Sequence, residues 1–232
     1  MKAIRSAPNL ADQVYQAILD EICDGGLAAG THLVQEQLAE RLGVSRQPVQ
    51  QAMARLKADG IVEEVGRRGL RVTHLDLREM RHRYSIRAVL DGLAARNAAE
   101  RARADKQTAT DIEHRGGEIL GAGLAALEAG DTAAQVHHDE AFHQLVYESS
   151  GNPFLAQTAQ LHWRFLRRIM GEVLRHAAPP RTVWEQHAGI LDAIVAGEPE
   201  LAERRAGEHI EIASERLGQS PALAATSATG VT

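Results

Sequence analysis

The turn signals between residues 76 and 217 constrain the fold of this sequence more than any other feature. Breaks built on Gly or Pro fall at residues 130–131, 149–153, 179–180 and 197–199. Between these breaks the sequence predicts helices over 76–103, 105–129, 132–149, 153–176, 180–196 and 199–217. Because short breaks join long helices, neighbouring helices are expected to pack antiparallel. We therefore expect residues 76–217 to form an all-α helical bundle.

The preceding residues carry a different pattern, in which short helices are followed by a hairpin. A first helix is predicted by apolar residues that recur every four positions, at Leu10, Val14, Ile18 and Ile22. The segment GLAAGTHL that follows is interpreted as a loop. A second helix is expected at about 35–42, and a third between its N-cap Ser45 and Gly60. Two β-leaning runs on either side of residues 66–69 then predict a small hairpin.

The helix pair and the hairpin together have the spacing of a winged helix-turn-helix. In that motif the second helix enters the major groove, and its first turns reach the base edges. Here those turns offer Ser45, Arg46, Gln47 and Gln50. Arg can bond a guanine edge with two donors, and Gln can pair with adenine in the same bidentate manner. The basic turn Arg67-Arg68 lies where a wing would follow phosphates or the minor groove.

The predicted fold class is therefore mainly α, with two domains. The N-terminal winged helix-turn-helix domain occupies residues 1–73, and the antiparallel helical bundle occupies residues 76–217. Aromatic residues make up only 3% of the chain, which argues against a β-sandwich or β-barrel. The last residues, 218–232, are small and uncharged, and we expect them to be a disordered tail.

Charge is distributed unevenly between these two domains. The formal net charge is −5, but residues 1–73 hold 9 basic and 9 acidic residues, whereas residues 74–232 hold 17 and 22. A locally basic surface on an otherwise acidic protein suits phosphate contact without general adhesion to anions. The N-terminal domain is thus the expected partner of double-stranded DNA.

Cysteine usage and hydropathy indicate the compartment. Cys23 is the single cysteine of the sequence, which excludes a disulfide framework and favours a reducing environment. The start MKAIRSAPNL lacks a secretory apolar core, and no apolar run approaches the roughly 20 residues needed to span a bilayer. We expect a cytoplasmic protein with no membrane contact.

Four residues of the predicted bundle have the spacing of metal ligands. Asp139 and His143 lie four residues apart and therefore share one helix face. His187 lies ten residues before Gly197 and His209 ten after Pro199, so an antiparallel hairpin places both imidazoles at one level. One carboxylate and three imidazoles can hold a divalent ion.

Other interpretations of these residues stay open at this point. A lone histidine on a helix is more often a surface or structural group than a ligand. His162 is a rival ligand, because it lies about as far after the break at residues 152–153 as His143 lies before it. His137 and His138 are interpreted as surface residues.

The first 73 residues resemble the GntR family of bacterial transcription regulators. The likeness is carried by LAERLGVSRQPVQQAMARLKADGIVEEVGRRGLRV and covers about residues 10–73. It implies that Arg46 touches DNA and that the protein acts as a homodimer on a pseudo-palindromic operator. Gln50 stands where the family usually has a second arginine, and Glu36 where some members have another basic contact. Our hypothesis is an altered operator, richer in A·T at the Gln50 contact.

The bundle resembles the FCD effector domain of the FadR-type subfamily. The likeness covers about residues 76–217 and rests on D-x-x-F-H-x-x-L, S-G-N-P, E-x-H-x-x-I-L-x-A-I-x-x-G and a histidine on the last helix. It implies that Asp139, His143, His187 and His209 bind zinc, with nickel or manganese as alternatives. It also implies that Arg87 pairs with a carboxylate effector. Asp91 occupies a place that the family usually gives to Glu, and Arg164 is a candidate second anion partner.

We expect a metabolite-responsive regulator, a repressor rather than an enzyme, whose bundle binds a small organic acid through its metal. Two alternatives remain. The bundle could be a metal-dependent hydrolase, although Glu140, Glu172 and Glu185 show no distinctive placement as a general base. The metal could instead be purely structural, although structural zinc sites are usually rich in cysteine, which this region lacks.

Overall fold

The computed structural model describes residues 10–66, 69–174 and 181–220. Contacts divide the chain into two compact units, with the boundary between Leu75 and Asp76. The predicted wing residues Arg67 and Arg68 and the end of the predicted tail, from residue 221 onward, lie outside the described residues. No described helix is both long and apolar enough to cross a bilayer.

The N-terminal unit packs three helices against a small sheet. Its elements are α1 (Leu10–Cys23), β1 (His32–Leu33), α2 (Gln35–Leu42), α3 (Arg46–Ala58), β2 (Val62–Val65) and β3 (Gly69–Val72). The turn between α2 and α3 uses Gly43, whose positive φ of 63° closes α2 at little steric cost. Ser45 occupies the N-cap of α3 as predicted, yet its side chain makes no bond to the amides of that helix.

The sheet has one strand more than the sequence indicated. Its order is β1-β3-β2, with both pairs antiparallel, and His32 and Leu33 of β1 pair with Arg71 and Leu70. The interpretation of GLAAGTHL as a loop was therefore wrong at its last two residues. A strand of two residues has too few positions to show a period-2 pattern, and only its partner strand defines it.

The C-terminal unit is a bundle of helices, as predicted. They are α4 (Leu77–Ala104), α5 (Lys106–Ala129), α6 (Thr132–Ser149), α7 (Pro153–Leu174), α8 (Thr182–Val195) and α9 (Pro199–Gly218). Aspartates cap α4, α5 and α6, where Asp76, Asp105 and Asp131 accept bonds from backbone amides of the first turn. The long helix α4 contacts each of the other described helices of the unit and is its centre. The mainly α fold class is confirmed.

Helix α5 packs closely on α8 because it carries glycines where α8 carries large side chains. Gly116 faces Leu191, and Gly123 faces the indole of Trp184, so that a Cβ at either position would overlap those side chains. The Trp184 ring in turn lies 5.3 Å from the imidazole of His187, between ring centroids. The glycines of α5 therefore set how close α8, and with it His187, comes to the rest of the bundle.

We predict opposite stability effects for two glycine-to-alanine substitutions in α5. Gly123→Ala forces a methyl group into the Trp184 ring, and we expect it to lower the free energy of unfolding by about 2–3 kcal/mol. Gly121→Ala is the matched control, because no atom lies within 4 Å of a Cβ there. Alanine favours the helix, so this control should raise the free energy of unfolding by about 0.5–1 kcal/mol. Urea denaturation monitored by circular dichroism measures both, and equal effects would contradict the close packing.

Candidate functional site

Four residues predicted to be metal ligands converge in the bundle interior. Asp139 and His143 project from one face of α6, His187 from α8 and His209 from α9, and all four side chains are buried. One ligand atom from each lies within 4.8 Å of all the others. We call these four residues the ligand cluster.

His187 and His209, which lie at equal distances from the α8–α9 turn, bring their imidazoles to the same level of the bundle. His187 Nε2 and His209 Nε2 are 3.0 Å apart, and His187 Nε2 is 3.5 Å from Asp139 Oδ1. At least one of the two imidazoles must be neutral, because two facing N–H groups would repel each other. Three helices thus bring their ligand atoms to one point without any contribution from a loop.

The ligand cluster fits a divalent ion. His143 Nε2 is buried and has no hydrogen-bond partner in the described part of the chain. Such an orphaned nitrogen is costly unless something binds it. Donors that surround an ion at about 2 Å lie at most about 4 Å apart, so the observed 4.8 Å needs only a small adjustment of the side chains. Carboxylate and imidazole ligands suit zinc, nickel and manganese.

Two polar residues outside the ligand cluster orient its imidazoles. Asp91 Oδ1 on α4 is 2.7 Å from His143 Nδ1, and Gln186 Oε1 on α8 is 2.9 Å from His209 Nδ1. Each acceptor fixes a proton on Nδ1 and leaves the Nε2 lone pair directed at the cluster. Metal-binding histidines commonly have such partners. The sequence predicted neither the contact of Asp91 with His143 nor that of Gln186 with His209.

Burial sets the protonation of the ligand cluster. It lowers the pKa of His187 and His209 well below the usual value, and the neighbouring positive groups lower both further. Burial also raises the pKa of Asp139. His187 and His209 are therefore held as the neutral imidazoles that a metal ion requires.

Arg87 lies fully buried on α4 beside the ligand cluster. Its Nε donates to Asp91 Oδ2 at 3.1 Å, and its guanidinium carbon lies 4.0 Å from the centroid of the Trp163 ring. Asp91 Oδ2 also accepts from the Tyr147 hydroxyl at 2.8 Å. Burial alone would raise the pKa of Asp91, but Arg87 and His143 lower it below its usual range. Arg87 Nη2 has no hydrogen-bond partner in the described residues.

A cavity of about 200 Å³ joins Arg87 to the ligand cluster. Asp139, His143 and His209 line it together with Arg87, so an incoming group can reach both. Its remaining lining is mostly apolar and includes Met170, Val173, Leu174, Val183, Ile210 and Leu217. Arg164, the predicted second anion partner, is half-buried on α7 and does not line this cavity. Arg216 on α9 does, and the sequence analysis missed it, although it lies two turns after His209 on the same helix face.

The other three histidines considered from the sequence, His137, His138 and His162, lie outside the ligand cluster. His162, the rival ligand, is half-buried on α7, and its ring does not join the four ligand atoms. His137 is exposed and His138 is half-buried, with their ring centroids 5.3 Å apart. The equal offset about residues 152–153 failed to identify a ligand, because it fixes the level of a residue along a helix pair but not its face.

The start of α3 presents its polar residues to solvent. Ser45, Arg46, Gln47 and Gln50 are all exposed, whereas the opposite face of the helix, from Pro48 to Leu56, is buried in the domain core. Arg46 forms an exposed ion pair with Glu36 on α2. The polar side chains at the start of α3 thus face solvent, while its apolar face packs on α1.

Comparisons with known proteins agree with this architecture. The family model described as "FCD domain" matches residues 82–212, and that described as "Bacterial regulatory proteins, gntR family" matches residues 10–72. The "Probable D-xylose utilization operon transcriptional repressor" of Paenarthrobacter nicotinovorans is 30% identical over 87% of this chain and 85% of that protein. The "Glc operon transcriptional activator" of Escherichia coli K12 is 27% identical over 90% of this chain and 89% of that one.

A solved structure has the same fold. That of E. coli McbR/YncC superposes with a TM-score of 0.78 at 23% sequence identity, and the match covers 93% of this chain and 99% of that one. At this identity the likeness concerns the fold alone.

We predict that the charge of Asp91 is required to keep Arg87 buried. In the presence of a chelator, Asp91→Asn removes the charge and replaces one of the two accepting oxygens by an amide NH2, and we expect it to lower the free energy of unfolding by about 3–5 kcal/mol. The double variant Arg87→Met/Asp91→Asn should recover part of this loss, since no buried charge is left alone. Urea denaturation of Arg87→Met, Asp91→Asn and the double variant measures the coupling free energy between Arg87 and Asp91. The exposed pair Arg96–Glu100 is the control, where removal should cost less than about 1 kcal/mol. Additive losses at Arg87 and Asp91 would contradict the prediction.

Proposed function

The chain belongs to the GntR family of bacterial regulatory proteins and carries an FCD domain, and we propose that it is a metal-dependent, acid-responsive repressor of transcription. One observation supports the sensing part above all others. Two buried nitrogens without partners in the described chain, His143 Nε2 and Arg87 Nη2, belong to residues that line one cavity. A metal ion and an organic carboxylate would bind both.

The DNA-binding part rests on the exposed face of α3. Arg46 and Gln50 can each make a bidentate contact with a base edge in the major groove, Arg with guanine and Gln with adenine. Ser45 and Gln47 flank them, and Arg67 and Arg68 are proposed to contact the DNA backbone from the wing. Before Arg46 can bind guanine it must leave Glu36, so the ion pair competes with DNA. Access to a bacterial chromosome places the protein in the cytoplasm, which is the location we propose.

The sensing part uses residues that are already oriented. A divalent ion, for which zinc is our first choice and nickel or manganese the alternatives, would be held by Asp139, His143, His187 and His209 and would supply a Lewis-acid site for carboxylate oxygens. Asp91 and Gln186 keep the imidazoles in position. Arg87, held by Asp91 and the Trp163 ring, presents its free Nη2 to the same carboxylate. A bidentate contact with a carboxylate is the usual preference of a guanidinium.

The two alternative functions of the bundle are less well supported. Of the candidate general bases, Glu140, Glu172 and Glu185, none lines the cavity in the described structure, so a hydrolase would lack its proton acceptor there. A purely structural ion would have all its positions filled by protein. The ligand cluster instead borders a cavity, which leaves room for an additional ligand.

The direction of the response is proposed from the family. A ligand that binds one arrangement of the protein more tightly shifts the population towards it, and thereby changes the affinity for DNA. Of the two relatives described above, the more similar one is named a repressor and the other an activator. We propose repression that is relieved when the acid binds.

A homodimer is proposed from an exposed apolar stripe on α4. Ile86, Val89 and Leu93 are 47%, 70% and 40% exposed and recur with alternating spacings of three and four residues. That pattern is typical of a helix that packs along another helix. A second copy related by a two-fold axis at Val89 would place Arg78 of one chain opposite Glu100 of the other, since both lie eleven residues from Val89. The opposite charges favour this antiparallel arrangement.

For DNA binding we predict that Arg46→Ala weakens binding of the dimer to a selected operator by at least about 30-fold, because it removes a bidentate base contact of about 1–3 kcal/mol from each half-site. Arg41→Ala is the control, because Arg41 is exposed on α2 and paired with Glu21. Fluorescence anisotropy at fixed salt measures both.

Binding-site selection tests the A·T hypothesis for Gln50. Gln50→Arg should change the preferred base at one position of each half-site from A to G. If the wild-type protein already selects G there, the hypothesis is wrong.

For the metal we predict about one ion per chain in the wild-type protein and its loss in His187→Ala. Zinc added to chelator-treated wild-type protein should raise the thermal midpoint, because it binds only the folded state. The variant should show no such rise. His114→Ala, at an exposed histidine of α5, is the control and should behave as the wild type. Elemental analysis and thermal denaturation are the measurements, and circular dichroism establishes that the variant is folded. Full zinc content in the folded His187→Ala variant would refute the site.

For the dimer we predict that Val89→Asp converts it into a monomer, because the carboxylate would be buried without a partner. Phe154→Asp is the matched control, since Phe154 is 71% exposed and lies on α7, outside the stripe. Light scattering coupled to gel filtration reports both masses. A dimer that survives Val89→Asp would exclude this face.

A further inference from the structure

The cavity extends well beyond the residues that would hold a metal and one carboxylate. On α9 its lining residues include His209, Ala213, Arg216 and Leu217, which share one helix face because they recur every three or four positions. Seven residues separate His209 from Arg216, so the backbone positions lie about 10 Å apart along the helix. An acid of two or three carbon atoms bound at the ligand cluster would fill only one end.

Much of the remaining cavity lining is apolar. Met170 and Val173 from α7 and Ile210, Ala213 and Leu217 from α9 contribute to it. Hydroxyl groups of a ligand that lay against these side chains would lose hydrogen bonds to water. A hydrocarbon segment would gain from burial instead, at roughly 0.8 kcal/mol for each buried methylene group.

The far end of the cavity carries a positive charge without a counter-charge. Arg216 is half-buried, and its guanidinium makes no hydrogen bond or ion pair within the described residues. Burial lowers the pKa of Arg216, and no acidic group in the described part of the chain offsets that effect. An anion at this position would provide the missing partner, and a carboxylate matches the planar guanidinium best.

We propose that the effector is an extended dianion of about eight carbon atoms, counting both carboxylates. One carboxylate lies at each end, and a hydrocarbon segment joins them. This inference rests on the proposed function, since the inner carboxylate is the one assigned to Arg87 and the ligand cluster. The outer carboxylate pairs with Arg216, and the methylene groups lie against Met170, Val173 and Leu217. Each C–C bond advances an extended chain by about 1.3 Å, so an eight-carbon diacid spans about 9 Å.

Calorimetric titration of the full-length, zinc-loaded protein with four defined acids tests this proposal. The probes are succinate, adipate, suberate and octanoate, of which the last has the length of suberate but only one carboxylate. We expect suberate to bind at least tenfold more tightly than succinate, because it buries more methylene groups. It should also bind about tenfold more tightly than octanoate, because only suberate reaches Arg216 with a charge.

Variants of α9 separate the role of Arg216 from a general effect of charge. In Arg216→Gln the advantage of suberate over octanoate should disappear, while octanoate binds as it does to the wild type. Unchanged octanoate binding also shows that this variant is folded. Arg204→Gln is the matched control, because Arg204 is exposed on the same helix and does not line the cavity. It should leave the affinities for all four acids unchanged.

The possible failures are distinguishable. Tightest binding by succinate would overturn the extended ligand and leave the proposed function intact. Equal affinities for suberate and octanoate in the wild type, or a suberate advantage that persists in Arg216→Gln, would overturn the second carboxylate. If none of the four acids binds the zinc-loaded protein, both the inference and the acid-sensing function are wrong.

Discussion

The interior of the C-terminal unit depends on one buried carboxylate. Asp91 accepts from Arg87 and Tyr147 through one oxygen and meets the His143 imidazole with the other. It thereby neutralises a guanidinium that lies entirely inside the bundle and fixes the orientation of a candidate metal ligand. Removal of Asp91 or of Arg87 would leave the other residue's charge unpaired in a medium that solvates it poorly. The aspartate thus couples the Arg87 guanidinium to the ligand cluster.

The geometry of the bundle explains how a few side chains on separate helices can form one cluster. Long helices are rigid, so ligand atoms on three of them meet only if the helix separations are correct. The glycines of α5 allow α8 to approach closely, and Trp184 fills the space that Gly123 leaves. The packing that stabilises the domain therefore also places His187, and the site has no need of a mobile loop. On the same helix face, the cavity then continues from His209 towards Arg216.

Much of the fold follows from local sequence signals. Where they fall within the described residues, the predicted helix limits differ from the observed ones by two residues or fewer, because Asp caps and Gly or Pro breaks act on their immediate neighbours. The predicted end at residue 176 and start at residue 180 lie outside those residues. The four residues of the ligand cluster were also predicted, from an i, i+4 pair and a symmetric pair of offsets. Family resemblance selected its three histidines from the eleven of the chain. By contrast, β1 was missed because two residues carry no periodicity.

The sequence by itself determined the mainly α architecture, the exposed polar face of α3 and the two ligand pairs Asp139–His143 and His187–His209, since each depends on spacing along one helix or hairpin. The tertiary structure brought the two pairs together in one cluster. Only the tertiary structure decided which charged residues accompany the cluster. It brought Asp91 to His143 across 52 positions, set Gln186 against His209, and gave the cavity Arg216 in place of the predicted Arg164. Contacts between distant helices depend on crossing angle and rotation, which side chains across the whole core fix together and no local pattern encodes.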